Sequence, residues 1–139
     1  MTYDEMIALT KAKIKENKIK RKPSNEEHRI QCACVKWFRL QYPKYAKLLY
    51  AIPNGSRRDA ITGKLLKDEG VIRGVSDLNL DMPNRFYHGL RIEMKTPTGV
   101  QSKEQKEFQF EVERQGFRYI ICRSLNDFIK AITIYIQDA

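Results

Sequence analysis

Three polar residues in the middle of the chain have the types and the spacing that hydrolysis of a phosphate ester requires. Asp77 is followed by Glu93 after an intervening loop, and Lys95 lies two residues beyond Glu93. Because side chains two apart on a strand share a face, Glu93 and Lys95 are expected to lie side by side. Two carboxylates beside a lysine suit a hard cation such as Mg²⁺, which takes oxygen ligands and keeps several waters.

A cation held in this way would activate water against a phosphodiester. It would lower the pKa of a bound water and neutralise the phosphate during attack, while Lys95 would orient that water or stabilise the developing charge. The alternative is a row of surface ion pairs, since cross-strand charge pairs are common and contribute only about 0.2–1 kcal/mol each. The spacing alone is compatible with both interpretations.

The hydrophobic pattern predicts two strands that would bring the carboxylates together. Apolar and polar residues alternate over residues 78–82, which is the period of a half-buried strand. A second strand with the same alternation is predicted over residues 90–95, after a loop at residues 83–89. If the two strands are neighbours, Asp77 and Glu93 meet on one face of the sheet.

The flanking segments predict an α/β domain in the order α-β-α-β-β-α-β-α. Serines with capping-box spacing open two helices, from Ser24 to Glu27 and from Ser102 to Gln105. Cys34 and Cys122 are predicted to be core residues, and so is Trp37, with a base-stacking platform as its alternative. Helices are expected over residues 24–41, 58–69, 102–115 and from 124 onward, and further strands over residues 47–52 and 118–123.

Composition limits the function classes. The 139 residues suit one domain, and the net charge of +9 favours a polyanionic partner, with nucleic acid as the first candidate and a solvated basic surface as the alternative. Three cysteines without paired spacing fit a reducing compartment, and two histidines give little support for zinc. No apolar run could span a membrane and no signal segment is seen, so we expect a cytoplasmic protein.

The first 23 residues differ from the rest of the chain. They carry seven basic residues against three acidic ones and end at Pro23, which predicts a partly helical basic arm. This arm would either contact DNA or be a mobile tail. The domain itself is expected to span residues 24–139.

The residues around the acidic pair resemble those of a known family. Asp77 followed by Glu93-Met94-Lys95 resembles the PD-(D/E)xK motif of restriction-type nucleases and Holliday-junction resolvases. The wider pattern, from about residue 26 to the C-terminus, resembles the VRR-Nuc family of virus-type replication-repair nucleases. That wider pattern consists of Glu27-x-x-x-Gln31, Pro53-Asn54-Gly55, Gly74-x-Ser76-Asp77, Glu93-Met94-Lys95, and Ser102 to Gln105.

This resemblance implies a restriction-endonuclease-like core with a central mixed sheet flanked by helices, and hydrolysis of DNA with Mg²⁺ or Mn²⁺. It implies metal ligation by Asp77, by Glu93 and by the backbone carbonyl of Met94. It also implies that Glu27 is an accessory acidic ligand of the metal. A capping role is the alternative for Glu27, although its four-residue spacing to Gln31 favours the active site.

The same resemblance makes Lys95 the catalytic lysine and places Gln105 near it on a helix, although a capping box explains Gln105 equally well. The chain departs from the family pattern at two positions. Ser76 stands where the broad superfamily has proline, and Ser56 stands where the family has a second glycine.

Asn54, Arg57, Arg58 and Lys64 are candidate DNA contacts, with an ordinary basic loop as the alternative. The resemblance further implies a homodimeric, Holliday-junction-resolvase-like endonuclease of a phage or of bacterial DNA repair, acting on branched DNA. A flap or end-processing nuclease and a non-catalytic nucleic-acid-binding module are the alternatives.

Overall fold

The computed structural model describes residues 2–9, 11, 24–53 and 60–139, with backbone only at residues 24, 60 and 61. Residues 3–9 are helical (α1). The remaining elements are α2 (Ser24–Gln41), a 3₁₀ helix (Pro43–Leu48), β1 (Leu49–Ala51), α3 (Ala60–Asp68), β2 (Leu78–Leu80), β3 (Leu90–Met94), α4 (Lys103–Arg114), β4 (Arg118–Cys122) and α5 (Leu125–Gln137).

The four strands form one mixed sheet in the order β1-β2-β3-β4. The pairs β1–β2 and β2–β3 are antiparallel, and β3–β4 is parallel. A parallel pair needs a crossover connection, and α4 provides it. The predicted α/β class, with a central mixed sheet flanked by helices, is confirmed, and so is the predicted order of elements from α2 onward.

The first strand is shorter than the sequence predicts. A strand is expected over residues 47–52, but β1 spans only Leu49–Ala51. Lys47 and Leu48 instead end the 3₁₀ helix, which begins at Pro43. Proline at the start of a helix has its backbone angle already set and loses no hydrogen bond there, so it favours the helical turn over an earlier strand.

One face of the sheet forms the hydrophobic core. Leu78, Leu80, Ile92 and Met94 are all buried on it, as the alternation predicts. Helices α2 and α5 cover this face, and the predicted core roles of the two cysteines and the tryptophan are confirmed. The covering residues include Cys34, Phe38, Phe128 and Ile132, with Cys122 from β4 also buried and Trp37 packed edge-on against Phe128.

The opposite face of the sheet is covered less completely. Helix α4 crosses it, but none of the residues of this described helix is fully buried. Its start is as predicted: Ser102 caps the helix, and Ser102 and Gln105 form a capping box. Its end is also as predicted, since Gly116 adopts a positive φ of 87° after the last turn. The polar residues of β2 and β3 lie on this more open face.

Several predictions fall outside the described residues. Of the basic arm, residues 12–23 are not described, and the side chain of Ser24 is not described either, so the predicted first capping box stays a prediction. The turn and loop at residues 54–59 also lie outside the described part. Among the helices that are described, none is long and apolar enough to cross a membrane.

Candidate active site

Asp77 is fixed at the edge of the central strand pair. The β2–β3 register pairs Leu78 with Ile92, which sets the preceding Asp77 opposite Glu93. The Asp77 Oδ2 accepts a hydrogen bond from the Met94 backbone N–H at 2.7 Å, and the Asp77 carbonyl accepts one from the Ile52 N–H at 2.9 Å. Backbone contacts from two strands therefore hold this carboxylate in one position.

Glu93 is a buried acid with only 2% of its surface exposed. Its pKa is raised from 4.5 to about 9, mainly by burial and next by the charge of Asp77 and a hydrogen bond with that side chain, while Lys95 opposes the shift. In the protein alone this carboxyl group is therefore protonated at neutral pH. A cation between the two carboxylates would reverse that preference, because it stabilises the ionised form of both.

The two oxygens of Glu93 have different surroundings. Oε1 accepts a hydrogen bond from Gln105 Nε2 at 2.7 Å and lies 3.8 Å from Lys95 Nζ. Oε2 is buried and accepts no hydrogen bond from any residue in the described part of the chain. A buried oxygen without a partner costs free energy, so an unpaired one at this position indicates a place for a ligand that the protein itself does not supply.

Gln105 combines both roles that the sequence left open. Its Oε1 accepts the Ser102 backbone N–H at 2.8 Å, which completes the capping box, and its Nε2 donates to Glu93. Because the helix cap uses the amide oxygen, the amide nitrogen is the atom that faces the carboxylate. The start of α4 thereby positions a hydrogen-bond donor on Glu93.

Lys95 follows β3 on the same side as Glu93, with 12% of its side chain exposed. Its backbone N–H donates to the Cys122 carbonyl at 3.0 Å. The turn after it is held by Arg123, whose Nη1 donates to the carbonyls of Thr96 and Gly99 at 2.8 and 2.6 Å. Sequence reasoning gave Arg123 no role, since nothing in the local pattern shows that a side chain after β4 reaches the turn after β3.

A cleft of about 980 Å³ brings the predicted site residues together. It runs between the open face of the sheet, α3 and the loop at residues 71–75. Glu27 lies at its wall, and the charge of Glu27 contributes slightly to the raised pKa of Glu93. The predicted residues that line the cleft are Glu27, Asp77, Glu93, Lys95 and Gln105.

The predicted DNA contacts are only partly described. Lys64 is exposed on α3 and does not line the cleft, whereas Asn54, Arg57 and Arg58 lie outside the described residues. Two cations that the sequence reasoning missed, Lys67 and Arg73, line the cleft. Their positions depend on how α3 and the following loop pack against the sheet, and this packing cannot be predicted from residue spacing.

The donor set fits a hard divalent cation. The described residues contain no group of three Asp, Glu, His or Cys side chains placed to hold a metal. Magnesium needs fewer, since it is commonly bound by one or two carboxylates and keeps several waters. Asp77 and the unpartnered Oε2 of Glu93 provide that pair.

The fold and the cleft together define an α/β domain with two acidic residues and a lysine in one cleft. The chain belongs to the VRR-NUC domain family, whose family model matches residues 11–126. A solved structure described as a VRR_NUC domain protein is similar over 81% of this chain and 89% of that chain, at 25% sequence identity and a TM-score of 0.72. No curated protein matches the chain. The predicted resemblance to the VRR-Nuc family is thus confirmed.

Proposed function

We propose that this chain is a metal-dependent, structure-selective DNA endonuclease of the PD-(D/E)xK type, resembling Holliday-junction resolvases and acting on branched DNA. The observation that carries the proposal is the environment of the Glu93 carboxyl group. Its Oε2 is buried and unpartnered within the described residues, beside Asp77 and on the strand that leads to Lys95. A protein gains nothing in stability from such a group, so its presence favours a catalytic role.

The metal in this proposal is Mg²⁺ or Mn²⁺. Asp77 and Glu93 would hold it, with the Met94 carbonyl and Glu27 as further ligands and water completing the shell. When bound, such a metal activates a water and neutralises charge on the phosphate. Gln105 keeps Glu93 aimed at this position through its hydrogen bond to Oε1.

Lys95 supplies hydrogen-bond donors and a positive charge next to the carboxylates. Its ammonium group lies 3.8 Å from Glu93 Oε1 and is mostly shielded from solvent. In this position it can donate hydrogen bonds to the attacking water or to a phosphate oxygen as negative charge develops there. Shielding strengthens that interaction, because the surrounding protein screens charge less than water does.

DNA binding in this proposal rests on the backbone phosphates. The net charge of +9, with Lys67 and Arg73 at the cleft, suits contacts to backbone phosphates that do not depend on base sequence. Affinity should then fall steeply with salt. A homodimer would present two equivalent sites to the two symmetric cuts that a four-way junction requires.

The test is cleavage of labelled four-way junction, flap and linear duplex DNA with Mg²⁺ or Mn²⁺. We expect wild type to cut the junction, and Lys95→Ala to bind it but to cut about 10²–10³ times more slowly, as when a transition-state donor is removed. Lys130→Ala is the control, because Lys130 is exposed on α5, away from the cleft.

Each outcome has a defined meaning. Preferential cutting of flaps or ends would replace the resolvase by an end-processing nuclease. Cutting of linear duplex alone would remove the structure selectivity. If wild type and Lys95→Ala bind DNA equally and neither cuts, the chain is a binding module and the catalytic proposal is wrong.

A further inference from the structure

A second cavity, of about 470 Å³, lies next to the catalytic cleft. The two cavities share Leu66, Val71, Ile72 and Val75 as a common wall. Unlike the cleft, the second cavity has no carboxylate among those of its lining residues that the structure describes, and most of these side chains are apolar. Ile52, Phe108 and Val112 form much of the remaining surface.

The shared wall exposes apolar side chains on a fixed loop. Val71 and Ile72 have 37% and 65% of their surface exposed, and they lie between Gly70 and Gly74, which adopt positive φ values of 104° and 90°. A Cβ at Gly74 would come within 2.6 Å of the Glu104 carbonyl carbon. The loop is therefore seated directly on the first turn of α4. The two exposed apolar side chains therefore form a ridge between the two cavities.

The far side of the second cavity is polar. Asn79 lines it, and Ser76 Oγ donates a 2.9 Å hydrogen bond to Asn79 Oδ1, which orients the amide. Arg91 also lines it, with its guanidinium stacked 4.3 Å over the Phe117 ring and its Nη1 3.5 Å from Asp81 Oδ1. Amides and guanidinium groups are the side chains that pair with base edges or stack on base planes.

These features suit a flat, uncharged ring with a few hydrogen-bonding groups at its edge. A phosphate would be poorly solvated among Ile52, Phe108 and Val112, whereas Lys67 and Arg73 place positive charge in the neighbouring cleft, which suits phosphates. A volume of about 470 Å³ lies within the range of small-ligand sites. It is too small for a protein element such as the helix of a second copy, whose diameter is about 10 Å.

We propose that this cavity receives an unstacked nucleobase from the nucleotide next to the cleaved phosphate, with Val71 and Ile72 separating that base from its neighbours. The inference rests on the proposed nuclease function. It would explain structure selectivity physically, because the strand is not part of one continuous duplex at a branch point, so a base there should cost less to displace than a base within a duplex.

The experiment uses the full chain and a four-way junction. The cut position is first mapped with wild type and Mn²⁺, and 2-aminopurine is then placed on either side of it. Binding is measured with Mg²⁺ in a Lys95→Ala background, so that the DNA stays intact. We expect the fluorescence to rise on binding, since 2-aminopurine brightens when it leaves the base stack.

Ile72→Ser should abolish the fluorescence rise and lower kcat/KM by about tenfold, because the apolar wedge is lost. Ile134→Ser is the matched control: Ile134 on α5 is 63% exposed, almost the same as Ile72, but lines neither cavity. A second variant, Val112→Phe, fills the cavity from the α4 side and should also block the rise. Melting temperatures establish that both variants are folded.

Cleavage of a junction with a mismatched base at the mapped position shows whether Ile72 displaces the base or only supports the fold. Prior unpairing removes most of the cost of displacement, so the mismatch should restore cleavage by Ile72→Ser to within about twofold of wild type. If wild type cuts the junction but the fluorescence stays constant, the cavity does not take a base and the inference is wrong. If wild type cuts no DNA, the proposed function itself fails first.

Discussion

The two faces of the sheet are built from the same strands but differ in every physical respect. On one face Leu78, Leu80, Ile92 and Met94 are sealed beneath α2 and α5. The other face carries the polar side chains of the same strands. Among them is Glu93, whose Oε2 accepts no hydrogen bond from the described part of the chain. Stability is thus concentrated on one side, which allows the other to hold groups that oppose folding.

The largest effect should come from the sealed face. Phe128→Ala removes a fully buried ring that packs edge-on against Trp37, and we expect a loss of about 3–5 kcal/mol in the free energy of unfolding. Phe108→Ala, on the half-buried side of α4, should cost about half as much. Urea denaturation measures both variants. Equal losses would show that the two faces contribute alike to stability.

Glu93→Gln should separate function from stability on the open face. Cleavage is lost, yet the metal-free variant should melt a few degrees higher than wild type at pH 8. The pKa of Glu93 is raised from 4.5 to about 9 in the folded protein. Its contribution to the free energy of unfolding is therefore complete below pH 4.5 and is lost as pH rises toward 9. Glutamine cannot ionise and therefore avoids this loss.

The difference in melting temperature between Glu93→Gln and wild type should therefore be small at pH 5 and should widen up to pH 9. Thermal melts in a chelating buffer measure it. Adding Mg²⁺ or Mn²⁺ should raise the melting temperature of wild type but not that of the variant. A difference that is independent of pH would mean that Glu93 is ionised in the metal-free fold.

A smaller effect is expected at the turn that follows Lys95. Arg123→Met removes the hydrogen bonds to the carbonyls of Thr96 and Gly99, so Lys95 should be less well positioned. We expect kcat to fall about tenfold with little change in KM, because small displacements reduce rate more than binding. Steady-state kinetics on a junction measure this. Arg118→Met, at an exposed arginine that begins β4, is the control. Equal effects of both variants would contradict a positioning role.

The fold was predictable where the signal is local. Alternation located β2 and β3, the capping box located the start of α4, and Gly116 marked its end, because each depends on neighbours within a few residues. The 3₁₀ helix at Pro43–Leu48 was missed because a short apolar run is compatible with either a strand or a tight helix.

The residues of the site could be predicted from the sequence, but their burial and their contacts could not. Asp77, Glu93 and Lys95 follow from strand spacing and family resemblance. The burial of Glu93 depends on how α4 lies across the sheet, and no spacing reveals it. The contributions of Arg123 and Arg73 have the same origin, since a side chain from one loop meets the backbone or cleft of another only after folding.

The double contact of Gln105 restricts which substitutions this position can accept. A capping box accepts glutamine or glutamate at its third helical position, and in most helices the two are interchangeable. Here the amide nitrogen donates to Glu93, and a glutamate would present a third acid to the buried pair instead. A change that is neutral for the helix would therefore be costly for the site, so the helix cap and the acidic pair together specify glutamine at this position.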